Sequence, residues 1–161
     1  MSLATAKAIR DQILTLVEAI IPISLAGSRF HRYRNEGDGD FVVWADSAAA
    51  AAFRRFQARD VGDDSPPAVS NTDLEERILD LQILVAYPQT ARAGRNNALD
   101  RDDVMIEDWK KIDALIGIAG GGNFSGANNC TPLGASKTIQ RAGGIDFMVI
   151  KAQYRYWRST T

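Results

Sequence analysis

The sequence predicts an α+β fold: a mostly antiparallel β-sheet flanked by two main helices and carrying long loops. Three observations predict it. An amphipathic helical stripe opens the chain, apolar residues alternate with others from Leu79 to Tyr87, and a second helical stripe precedes a Gly-Gly hairpin signal. At 161 residues, with 45% hydrophobic and 24% charged residues, the chain has the size and composition of a single domain spanning residues 1–161. A chain this long buries roughly two-thirds of its unfolded surface, so it needs no disulfide staples. The one cysteine, Cys130, permits none within the chain, which fits a reducing compartment or a virion assembled inside a cell.

The opening helix has Ser2 as a cap and carries Ile9, Ile13, Leu16, Val17 and Ile20 on one side, with Pro22 as its stop. One stripe lays it on a sheet. Lys7, Arg10, Asp11 and Glu18 interrupt the apolar residues, so Met1 to Ile21 reads as an amphipathic helix and neither a membrane span nor a targeting peptide. Ser28 to Arg34 reads as a short, partly exposed strand. The cluster Glu36-Gly-Asp-Gly-Asp is a turn, and Phe41-Val-Val-Trp re-enters as a strand. Ala48 to Ala52 suits a short helical turn, followed by a strand near Arg55 to Arg59. Asp60 to Asp73, with its glycine, prolines and acids, reads as a surface loop. Then comes the alternating strand, ended by Pro88. Asn96 to Arg101 reads as a polar linker in which Asp100 caps a helix bearing Met105, Trp109, Ile112 and Ile116, ended by Gly120 to Gly122. Lys137 to Arg141 and Ile145 to Trp157 form a hairpin about Gly143-Gly144. In its second strand Ile145, Phe147 and Val149 share one face, and Met148, Ile150, Tyr154 and Tyr156 the other. Apolar residues on both faces imply two covers, the chain's own helices and a neighbouring subunit.

Charge is nearly balanced, 19 Lys plus Arg against 20 Asp plus Glu, so nothing global draws the chain to nucleic acid or anionic membranes. The glycines from Gly120 follow a helix instead of opening one, the wrong order for a phosphate cradle. His31 is the only histidine, and neither it nor Cys130 has a local catalytic or zinc signature. The acidic pairs Asp38/Asp40 and Asp63/Asp64, and the run Asp100, Asp102 and Asp103, complete no calcium loop. These readings lead to no enzyme, no cofactor and no metal. The sequons at Asn123 and Asn129 read as chance. Cations interleave with aromatics twice, at Arg29, Phe30, His31, Arg32, Tyr33 and Arg34, and again from Lys151 through Tyr154, Tyr156 and Trp157 to Arg158. Such clusters bind single-stranded nucleic acid or anchor protein interfaces, and the lack of net positive charge favours the interface.

The opening helix Thr5 to Ile21, the strand Leu79-Asp-Leu-Gln-Ile-Leu-Val-Ala-Tyr, the helix Asp102 to Ile116 and the closing strand Ile145 to Arg158 together resemble the tail terminator (tail completion) proteins of long-tailed bacteriophages. The likeness lies in the order of elements, not in an invariant motif. It implies an antiparallel sheet flanked by helices and a homo-hexameric ring capping the head-proximal end of the tail tube. Such a ring ends tube polymerisation and offers the head connector a surface; the alternative is another head-tail connector or neck component. The implied location is the virion, at the head-tail junction, after assembly in the host cytoplasm. The implied partners are the chain itself, the tail tube protein and the head connector, with no membrane and no sequence-specific nucleic acid. The subunit and tube contacts then fall to Arg29, Arg32, Arg34, Asp63, Asp64, Tyr154, Tyr156 and Trp157. The loop Gly120 to Asn129 has no counterpart in the family.

Overall fold

The computed structural model describes residues 5–23, 29–33, 54–62, 70–71, 74–88, 98–120, 130–142 and 145–159. Their elements run α1 (Ala6–Glu18), β1 (Phe30–Arg32), β2 (Arg54–Gly62), β3 (Ser70–Asn71), β4 (Leu74–Pro88), α2 (Ala98–Ile116), β5 (Cys130–Ala142) and β6 (Ile145–Ser159). This is the α+β architecture the sequence predicts. The sheet order is β1-β2-β4-β6-β5, with β3 paired to β4, and every pairing except β1 with β2 is antiparallel.

The α1 cap is Thr5, whose Oγ1 accepts from the Ala8 amide at 3.1 Å; Ser2 lies outside the described residues. The helix ends at Glu18, ahead of Pro22, and the chain turns so that the Ile20 carbonyl accepts from the Phe30 amide at 3.0 Å. Ile9, Ile13, Leu14 and Val17 are buried on its stripe. The expected strand at Phe41–Trp44 and the turns at 36–40 and 48–52 lie outside the described residues.

The segment read as a loop from Asp60 to Asp73 is partly sheet. Asp60 to Gly62 complete β2, and β3 then pairs with the same flank of β4, Ser70 opposite Glu75 and Asn71 opposite Leu74. A two-residue connection leads into β4. Proline, glycine and acids depress strand propensity here, and pairing to a long neighbour overrides it. The β4 and β6 strands pair without a shift over their whole lengths, from Leu74 opposite Ser159 to Pro88 opposite Ile145.

Helix α2 begins at Ala98, so Asp100 lies inside its first turn instead of capping it, and residues 98–101 are helix instead of linker. It also ends before the glycine triplet, at Ile116. Gly120 closes a short 3₁₀ turn against Gly117, where a Cβ on Gly120 would collide with the Leu115 carbonyl. Strand β5 starts at Cys130, seven residues before the expected Lys137. A bulge leaves Leu133 unpaired between Pro132 and Gly134, and Gly134 has φ +149°, a conformation that favours glycine.

Both helices cover one face of the sheet. The main core there joins Ile9, Ile13 and Val17 of α1 and Met105, Ile112 and Ile116 of α2 to Leu79, Leu81, Ile83, Val85, Met148, Ile150, Tyr154 and Tyr156. On the other face Ile145, Phe147 and Val149 form a second cluster with Tyr33 and Ala86. None of these five is more than 5% exposed. The two-faced pattern of β6 is therefore as expected, but its second cover is already provided within the chain and needs no neighbouring subunit.

Candidate functional site

Among the described residues, the two groups weighed for catalysis, His31 and Cys130, lie far apart. His31 is on β1 and Cys130 on β5, the opposite edges of the sheet. Four strand spacings separate these edges, roughly 19 Å. The His31 Nδ1 is 3.0 Å from the Arg55 Nη1 and 3.2 Å from the Arg32 carbonyl. Cys130 is half-buried against the core, and burial pushes its thiol up to about 11. At pH 8 its thiolate population is then about a hundredth of that of an unperturbed thiol. Iodoacetamide should accordingly label Cys130 of the folded protein about a hundredfold more slowly than that of the urea-unfolded chain. Equal rates would show the thiol to be free of this burial. Among the described residues no three His, Cys, Asp or Glu side chains converge as a metal site.

Strand alternation takes the two cation-aromatic clusters apart. In β6, Tyr154 and Tyr156 point into the core under the helices, at 0% and 1% exposure, while Lys151 and Arg155 emerge on the opposite face. The Tyr154 hydroxyl donates to the Ile116 carbonyl at 2.8 Å, and its pKa is raised by burial first, then by Cys130 and Asp113. Tyr154 and Tyr156 are core residues, which corrects their placement on a docking surface. Trp157 is half-buried opposite Glu76, whose carboxylate holds the Arg155 Nε at 2.7 Å. In the first cluster Phe30 and Tyr33 are buried, Arg29 is exposed and Arg32 half-buried. Arg29, His31, Arg32 and Glu18 line an open depression of about 420 Å³. Nearby, Asp11 titrates below the usual carboxylate range. Its slight burial acts upward, and the hydrogen bond and charge of Lys7, with Arg10 and Arg32, outweigh it. Arg34, Asp63 and Asp64 lie outside the described residues.

Sequence reasoning missed a buried polar junction between α2 and the sheet. Arg54, Asp108 and Asp146 are 5%, 0% and 0% exposed. Asp108 lies on the α2 stripe between Met105 and Ile112, and accepts the Tyr87 hydroxyl at 2.9 Å and the Ile23 amide at 2.6 Å. The Arg54 guanidinium lies 4.2 Å over the Tyr87 ring and donates to the Ala86 carbonyl at 3.0 Å. Burial lowers the Arg54 pKa, opposed by Tyr87 and Asp108; burial and Asp108 both raise that of Tyr87. Asp146, opposite Tyr87 in the sheet, takes the Arg141 Nε at 3.3 Å, and Arg141 also reaches Asp102 at 2.8 Å. The spacing Met105, Asp108, Ile112 was the available signal: a carboxylate in phase with a buried stripe.

These titratable groups converge in packed protein. The depression beside β1 does not reach them, nor does a second one of about 470 Å³ on the outer sheet face, where Asp80, Gly134, Ser136, Lys151 and Gln153 contribute to the lining. The junction fastens α2 and the Ile23 backbone to the sheet. Among the described residues, the surfaces available for recognition are the basic flank of β1, the polar stretch of the outer sheet face around Lys151 and Arg155, and the edge of β5. No family model matches this sequence, and no curated protein matches it.

Proposed function

We propose that the chain is a structural virion protein that caps the head-proximal end of a phage tail tube as a six-membered ring. In that role it ends tube polymerisation and presents a surface to the head connector. The observation carrying this reading is that, among the described residues, both helices lie on one face of the sheet, and the basic flank of β1 and the outer face around Lys151 are unlike surfaces. A cyclic ring joins one patch to a different patch on the next copy, and such a molecule supplies unlike patches. The basic flank Arg29–Arg32 and the outer-face residues Lys151, Arg155 and Trp157 are the proposed contacts. The element order, helix, strands, long strand, helix and closing hairpin, is the one on which the likeness to tail terminators rests.

The test uses purified tail tubes lacking this chain. Tubes growing in its presence are expected to stop at a defined length, with six copies of the chain sedimenting per tube. A chain that neither binds tubes nor arrests growth overturns the reading. Binding to the head connector alone moves it to the neck.

A further inference from the structure

The edge of β5 is long and its protection is uneven. Within the strand, Pro132 and the Leu133–Gly134 bulge disrupt the N-terminal part, two devices that discourage strand addition. From Ala135 to Ala142 the strand is regular in its pairing with β6 and contains no proline. Among the described residues, no strand pairs with its other edge. Ser136, Thr138 and Gln140 are exposed and share the outer face with Lys151, Val149 and Phe147. Ala135, Lys137 and Ile139 are half-buried on the helix face.

We propose that this edge pairs with the same edge of a second copy, antiparallel and two-fold about Thr138. A two-fold axis normal to the sheet keeps outer face with outer face, so only registers centred on a residue are open. Centring on Thr138 sets Ser136 against Gln140 of the other copy, Lys137 against Ile139, Ala135 against Arg141, and Thr138 against itself. The outer-face pairs Ser136 with Gln140 and Thr138 with Thr138 are then neutral and hydrogen-bonding, and no like charges face each other, the condition for a favourable cross-strand pair. Centring on Lys137 opposes two lysines. Centring on Ile139 opposes Lys137 to Arg141. Registers further out either run into the bulge or shorten the overlap. The β1 edge is a poorer partner, because the strand has only three residues, and its flanking Arg29 and its Arg32 would add cations beside a strand that already carries Lys137 and Arg141. The pair is isologous and closes on itself, so it covers the edge without seeding a filament. It belongs to the free chain and does not rest on the ring proposed above.

Sedimentation of the full chain over a range of concentrations tests this. The expected result is a two-copy mass that falls to one copy on dilution. Thr138→Lys and Thr138→Glu each place like charges on the two-fold axis and should remain single where the parent pairs, while their equimolar mixture regains the two-copy mass. Directly opposed residues lie about 4.5–5.5 Å apart at Cα, within disulfide reach. Oxidised Thr138→Cys should therefore give a covalent dimer, and the parent, with Cys130 alone, should not. This arm decides the matter even if a charge variant fails to fold. A parent that stays single at all concentrations overturns the proposal, as does a pair that both charge variants leave intact. A six-copy free chain indifferent to Thr138 removes the pair and leaves the ring; a Thr138-dependent pair that ignores tail tubes does the reverse.

Discussion

Replacing Asp108 with alanine is expected to destabilise the chain by about 3–5 kcal/mol, a large part of the stability of a typical domain. Its carboxylate accepts the Tyr87 hydroxyl and the Ile23 amide in a site closed to water, near the buried Arg54 guanidinium. Alanine would remove a carboxylate that favours the buried Arg54 cation, and would take this acceptor from the Tyr87 hydroxyl and the Ile23 amide. The loss is therefore dominated by stranded polar groups, not by missing side-chain volume. Asp108→Asn keeps an acceptor oxygen and the shape while removing the charge, and should cost about 1–3 kcal/mol. Urea unfolding followed by circular dichroism measures both. A cost below about 1 kcal/mol for the alanine variant would show that the junction adds little to stability.

The second large effect is expected at Tyr154. Its ring is among the largest fully buried side chains, and its hydroxyl satisfies the last α2 carbonyl, that of Ile116. Tyr154→Phe removes that hydrogen bond and keeps the ring, and should cost about 0.5–1.5 kcal/mol. Tyr154→Ala also opens a cavity between α2 and the sheet, for about 3–5 kcal/mol. The graded series reads out core packing. If the alanine variant kept its thermal midpoint and lost only self-association, Tyr154 would be a contact residue after all.

What the sequence revealed follows from periodicity. The stripe Ile9, Ile13, Val17 and the alternation Leu79, Leu81, Ile83, Val85, Tyr87 are each repeated at the spacing of one face, and both faces were legible. The two faces of β6 were legible for the same reason. Asp60–Gly62, Ser70–Asn71 and Cys130–Ser136 were not. Their residues favour turns, and their strand structure comes from long neighbours, β4 and β6, that a local window does not contain. Arg54, Asp108 and Asp146 were missed because charged residues are rarely fully buried unless paired, and their partners come from other elements. Tyr154 and Tyr156 were misplaced because cations adjacent in sequence suggested one surface, whereas neighbours along a strand face opposite ways.

The register of β4 against β6 bears on how the chain is made. Leu74 meets Ser159, and Pro88 meets Ile145. Strand β6 comes after every other element in the chain, yet it takes a central place between β4 and β5. During synthesis one edge of β4 must wait unpaired until β6 has cleared the ribosome. Closing so wide a loop is slow, and a waiting strand of this kind is open to wrong partners. Ribosome stalling ahead of residue 145 would thus release a chain lacking the strand that its sheet is built around.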